Sequence, residues 1–282
     1  DTTYGLGYNV YTVPTGQNLI GLNGKLNPNA TLGRYVTNNG ETYFITPDDW
    51  TDATYRNALR QEYTVTATGS TQKSNFYASA NYLDMQGITV GSQYKRFTTR
   101  LKADYQLKSW LKVGMNVNYA HYDSDQVSGE GSNESSGNMF SMTLMAPIYP
   151  LYIRDKNGNI MQHEASRRPL YDFGDGQYNG LTRPYQNKAN PLASAYVDTN
   201  HSNGNTVNAV GTIDIDLPYG FRFSSTNSVY VDEARGQGST NPWFGAYAAY
   251  NGMVDVSHGR TWSYNYQQLL KWHQLYGKHD IS

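Results

Sequence analysis

The sequence predicts an all-β chain, an antiparallel transmembrane β-barrel segment of about seven strands with long extracellular loops. Two observations carry this. The first is a period-two alternation kept up for about ten residues or more. In RFTTRLKADYQLK, Phe97, Thr99, Leu101, Ala103, Tyr105 and Leu107 alternate with Thr98, Arg100, Lys102, Asp104 and Gln106. In WLKVGMNVNYAHY, Leu111, Val113, Met115, Val117 and Tyr119 alternate with Lys112, Gly114, Asn116 and Asn118. Sandwich strands usually run about 5 to 6 residues, whereas a tilted strand needs about 9 to 11 to cross a bilayer. The second observation is that short and long connections alternate, as when terse turns close one rim of a barrel and extended loops the other.

Taken in order, residues 1–58 read as extracellular loop, rich in Gly, Asn, Thr and Pro, with room for a small hairpin. Asp48 and Asp49 then cap a short helix beginning at Trp50, with Ala53, Tyr55 and Ala58 as its apolar positions. Residues 59–122 hold four strands: QEYTVTATGS, NFYASANYLDM and the two above. Their connections are the short 69–74, the longer 84–95 and a short turn at 108–110. A long extracellular loop follows at 123–205. Residues 206–282 carry three more strands, two joined by LPYG and the third reached through a loop at 233–261. The strand at 206–217 sets Val207, Ala209, Gly211, Ile213, Ile215 and Leu217 against Asn208, Thr212, Asp214 and Asp216. Carboxylates are costly towards lipid and solvated in a water-filled lumen, so the second set is expected inside. Lys271 and His273 interrupt the last strand and leave its register open, and HDIS reads as mid-strand. Seven strands leave unpaired edges, so the chain is expected to be a piece of a longer polypeptide.

Composition agrees. A mean hydropathy of -0.68 excludes an ordinary helical membrane protein, while 26 Tyr and 5 Trp suit the aromatic girdles of a barrel. The net charge of -1 and the lack of a basic stripe argue against a nucleic-acid partner. No cysteine is present, which excludes a disulfide-built scaffold.

The stretch DDWTDATYRNALRQEYTVTATGSTQKSNFYASANYLDMQGITVGSQYKRFTTRLKADYQLKSWLKVGMNVNYAH resembles the barrel of the SusC/RagA class of TonB-dependent outer-membrane transporters of Bacteroidetes. APIYPLYIRDKNGNI, NPLASA and LLKWHQLYGKHDIS add to the likeness. The resemblance implies a barrel of roughly 22 strands that imports oligosaccharides or peptides across the bacterial outer membrane. It also implies a SusD-like surface lipoprotein as partner and energy from the TonB complex acting on a plug. The residues that match include no TonB box and no plug. A soluble β-rich carbohydrate-binding or adhesion module, and a passive porin, are the alternative readings.

Substrate or partner contacts are expected from two loops. TNPWFGAYAAYNGM places Trp243, Phe244, Tyr247 and Tyr250 together, and flat rings suit stacking on sugars or packing against protein. The 123–205 loop holds Tyr171, Phe173, Tyr178 and Tyr185 near Arg167, Arg168 and Arg183. For both, the bland alternative is a loop folded on its own small core. No cofactor is expected; in DFGDG, Asp172 and Asp175 are the candidates for a Ca2+ site, and DKNGN reads as a hairpin turn through Asn157 and Gly158. An enzyme is not expected. The six histidines are scattered without a zinc-protease pattern, Ser128, Ser135 and Ser136 lie in a polar Gly-rich loop, and nothing fixes the separation of Glu130 and Glu134.

Overall fold

The computed structural model describes residues 8–127, 145–184, 186–243 and 247–282. Four strand pairs or sheets are present among them. Two small hairpin pairs lie in the N-terminal stretch, β1 (Tyr11–Thr12) with β2 (Thr31–Leu32) and β3 (Arg34–Asn38) with β4 (Glu41–Ile45). Helix α1 (Trp50–Thr54) follows, capped by Asp49, whose carboxylate accepts from the amides of Thr51 and Asp52, both at 2.9 Å. It is shorter than the sequence pattern extends, because Tyr55 leaves helical geometry to bridge Thr89.

The main sheet has seven strands in strict sequence order: β5 (Arg60–Ser70), β6 (Ser74–Gln86), β7 (Gln93–Lys108), β8 (Leu111–Asp125), β9 (Thr199–Asp216), β10 (Phe221–Thr240) and β11 (Met253–Trp272). Every neighbouring pair is antiparallel. Helix α2 (Pro191–Val197) leads into β9, and a last hairpin joins β12 (Gln274–Tyr276) to β13 (His279–Ile281).

Register sorts the two faces. Leu101 pairs with Val117, which pairs with Ala209, then Val229, then Tyr264. One residue along, Lys102 pairs with Asn116, then Val210, Ser228 and Asn265. A ladder keeps this sorting across the sheet, since a slip by one residue would exchange the faces. The register also resolves the last strand: Lys271 stands opposite Arg222, itself opposite Asp216, on the polar face, while Leu270 opposes Phe223 and Ile215 on the apolar one. Among the described residues no protein layer covers the apolar row. Leu101, Met115 and Ile213 are 43%, 41% and 40% exposed, far from the burial of a sandwich core.

The strands run further outward than their alternation does. The expected loop at 233–261 shrinks to 241–252, since β10 continues to Thr240 and β11 starts at Met253. Likewise β8 ends at Asp125 and β9 starts at Thr199. Twenty residues of β10 at about 3.3 Å each, tilted near 45°, climb roughly 47 Å, about twice an apolar band of ~25 Å. Beyond lipid no apolar face is required, so the period-two signal fades while the ladder goes on. In the closing segment the chain turns at Gly277, φ +61°, and HDIS carries the strand β13.

The buried core lies elsewhere. Tyr8, Val10, Tyr43, Ile45 and Trp50 from the N-terminal stretch interlock with Met145, Tyr149, Leu151, Ile153, Leu170, Tyr171, Phe173 and Leu192 from the connection between β8 and β9. These two loop regions form one lobe, and Val90 from the β6–β7 turn joins its core.

Candidate functional site

The lobe is pinned by polar groups that its burial makes obligatory. Asp48 grips Arg154 through two contacts, 2.6 and 3.0 Å, and accepts from the Leu151 amide at 2.7 Å. Trp50 Nε1 donates to the Tyr149 carbonyl at 2.8 Å. Arg183 is almost wholly buried; its guanidinium lies 5.3 Å from the Tyr149 ring centre and donates to the Asp172 and Ala189 carbonyls. Gly174, at φ +65°, makes room for it, since a Cβ there would stand 1.8 Å from Arg183 Nε.

Several of the expected site residues lie inside this arrangement. Tyr171 and Phe173 are buried in the lobe core, and burial pushes the Tyr171 phenol up. They pack into the core that holds the lobe together. Tyr178 is half-buried against the same core, and its carbonyl accepts from Asn38 Nδ2 at 2.6 Å. Arg183 faces inward and offers no surface charge, and Arg168 reaches the Tyr196 carbonyl. Asp172 receives hydrogen bonds from Tyr8 Oη at 2.8 Å, the Gly174 amide at 2.6 Å and Asn179 Nδ2 at 3.3 Å. Burial raises this carboxyl despite the Arg183 charge. Asp175 accepts from the Gln177 amide, closing a turn. Among the described residues no group of three or more His, Asp or Glu is arranged to hold a metal ion. Tyr185, Phe244, Ser128, Ser135, Ser136, Glu130 and Glu134 lie outside the described residues. Asn157 and Gly158 do form the hairpin turn: Arg154 bridges Ile160, and Asp155 accepts from the amides of Asn157 and Asn159.

The aromatic loop between β10 and β11 keeps its exposed rings. Tyr250 is 76% exposed, and Tyr247 and Trp243 are also open to solvent. The Tyr247 and Tyr250 ring centres are 6.5 Å apart, and Trp243 lies 6.2 Å from the ring of His163 in the lobe. Asp198, at the end of α2, fixes the loop's base by accepting from both Asn241 N and Nδ2 at 2.9 Å. Burial raises the Asp198 carboxyl, against those same hydrogen bonds. The far side of the loop closes through Asn251 at φ +59° and Gly252 at φ +83°. Sequence spacing found these rings, but not the His163 and Asp198 that position them. A polar cavity of about 240 Å³ opens nearby, where Arg56, Gln93, Asp125, Asp198 and Asn200 meet.

A single-layered antiparallel sheet, apolar and uncovered on one face, charged on the other, and crowned by a packed lobe, is the wall of a large outer-membrane-type β-barrel. No family model matches the chain. TonB-dependent receptor P39 of Formosa agariphila is 26% identical over 181 residues, covering 63% of this chain and 14% of the relative. TonB-dependent receptor SusC of Bacteroides thetaiotaomicron is 24% identical over 179 residues, covering 61% and 17%. In fold, the chain is similar to the RagAB peptide importer in its closed-closed state, with a TM-score of 0.61 at 20% identity over 88% of this chain and 25% of that one. The open-open state gives 0.59 over the same shares. The SusC/RagA resemblance is therefore shown in sequence and in fold, and the chain spans a quarter or less of the proteins it matches.

Proposed function

We propose that this chain forms part of the wall and outer lobe of a TonB-dependent importer of oligosaccharides or peptides in a bacterial outer membrane, working with a SusD-like surface lipoprotein. The observation that carries this reading is the uncovered row through Leu101, Met115 and Ile213, backed by a face bearing Lys102, Asp104, Lys112, Asp214 and Arg222. Exposed apolar area of that extent is stable against hydrocarbon and unstable against water. No helix among the described residues is long and apolar enough to cross a membrane.

The long connections fall on one rim with the lobe, and the turns 71–73, 109–110 and 217–220 on the other, a division that supports a lobe on the outer side. There Trp243, Tyr247 and Tyr250 are offered to a sugar ring, a peptide side chain or the lipoprotein. The test is fractionation of cells making the intact protein. It is expected in the outer membrane, resistant to urea and released only by detergent; recovery in the aqueous fraction would overturn the reading. Uptake of labelled oligosaccharide and of labelled peptide by the same cells then separates the two substrate classes.

A further inference from the structure

The outward face carries a charge cluster that import does not use. Following the apolar row of β10 and β11 upward, Asn227 pairs with Tyr266, Val229 with Tyr264 and Val231 with Trp262, and these three rings run in a ladder with centres 5.1 and 5.7 Å apart. Such rings mark the membrane interface. The next pairs on that face are Glu233 with Arg260 and Arg235 with His258. Glu233 sits at the hub: it contacts Arg235 Nη2 at 2.8 Å, His258 Nε2 at 2.9 Å and Arg260 Nη2 at 3.3 Å. The Glu233 side chain is only 16% exposed, while those of Arg235 and Arg260 are 64% and 57% exposed.

One carboxylate thus orients two guanidiniums and an imidazole, and the local charge stays positive. Each guanidinium has five N–H donors, so its contact with Glu233 leaves others for a ligand. Further round the same face no guanidinium joins the pairs: His121 contacts Asp123 at 3.1 Å and His201 contacts Asp125 at 2.7 Å. The height above the girdle is also specific. Arg260 and His258 lie two and four residues beyond Trp262, about 7 and 14 Å along the strand, or roughly 5 and 10 Å along the membrane normal at a tilt near 45°. Bilayer headgroups occupy roughly the first 5 to 8 Å outside the hydrocarbon, so Arg260 stands among them, while Arg235 and His258 are rooted just above and reach down to Glu233 on the Arg260 pair.

We propose that Arg235, His258 and Arg260 seat the phosphate of an outer-leaflet lipid headgroup, held by bidentate guanidinium contacts. The proposal rests on the membrane reading above. It is tested on the intact protein, made in its own outer membrane and extracted in mild detergent, by native mass spectrometry of bound lipid. Wild type is expected to retain phosphorylated lipid, and the double variant Arg235→Gln, Arg260→Gln to retain roughly tenfold less. The control pair Arg222→Gln, Lys271→Gln, on the polar face at the opposite rim, is expected to behave as wild type. Incubation with a phosphorylated glycolipid and with its dephosphorylated form should restore occupancy only for the first, and free inorganic phosphate should not displace it. Equal occupancy in the double variant, or equal uptake of the dephosphorylated lipid, would overturn the site. Urea-resistant membrane integration is followed in parallel: proteins that integrate yet show unchanged lipid overturn this site alone, whereas failure of wild type to integrate overturns the membrane reading with it.

Discussion

The seven-stranded sheet and the outer lobe are built from the same chain on opposite rules. In the lobe, Tyr8, Leu151, Leu192 and Ala193 are almost completely buried, and polar groups such as Arg183 and Asn190 are buried with them and hydrogen-bonded. In the sheet, large apolar side chains such as Val65, Phe76, Leu101 and Met115 lie open on one face, and order comes chiefly from the ladders. The difference teaches where the hydrophobic effect acts: in the lobe protein covers protein, and in the wall the covering is left to lipid.

The largest expected effect breaks that comparison directly. Leu192 is 0% exposed, so Leu192→Ala should destabilise the lobe by about 2 to 5 kcal/mol, through lost transfer energy and a residual cavity. Leu101→Ala in the wall removes the same atoms from a place where lipid can follow the surface, and should cost well under half as much. Thermal unfolding of both variants in one detergent measures the contrast, and equal losses would show that Leu101 is packed against protein. Next comes charge. Met115→Arg on the apolar row should cost about 2 to 4 kcal/mol near the midplane, and Asn116→Arg, one residue away on the wet face, less than about 0.5 kcal/mol. Folding yield into lipid vesicles would read the pair, and similar costs would mean that both faces see the same solvent.

How much of this was legible in the sequence depends on which solvent each residue meets. Between Phe97 and Tyr119 lipid demands an apolar face on every second residue, so the strands, their faces and the direction of Asp104 or Asp214 could be read off. Above the girdle that demand ends, and ARGQGST and VDVSHGR look like loop although they pair residue for residue. The lobe was harder still. Tyr171 and Phe173 show no periodicity, and what buries them comes from far off in the chain, as when Tyr8 meets Asp172 across 164 positions. An exposed aromatic and a buried one are the same letter until such contacts form, and for that reason Tyr250 and Phe173 were read alike.

A smaller effect sharpens the lobe side through pH. Burial raises the Asp172 carboxyl above its ordinary 3.8, against the opposing Arg183 charge and the hydrogen bonds from Tyr8 and Gly174. Because the folded value is the higher one, the stabilisation is fully present below the unfolded value and is lost as pH rises through the folded one. Asp172→Asn mimics the protonated acid, so its lobe should hold constant stability over the range from about 4 upward in which wild type declines. Hydrogen exchange at the amides of Ile153 and Leu170, which bond the Leu170 and Met161 carbonyls, reports on that core. A wild-type profile as flat as the variant's would contradict the burial argument.

The smallest stability effect belongs to the loop rings. Tyr250 is 76% exposed and touches Tyr247 at its edge, so Tyr250→Ala should change unfolding by less than about 0.5 kcal/mol. Asn241→Ala, by contrast, removes the side-chain half of the clasp on Asp198 and should loosen the whole loop. If the rings meet substrate or partner, both variants lower uptake, Tyr250→Ala without any change in exchange at the Asn241 amide and Asn241→Ala with one. Uptake unchanged in Tyr250→Ala, with the loop still ordered, would leave Trp243 and Tyr247 as packing for the lobe and remove the loop from the binding surface.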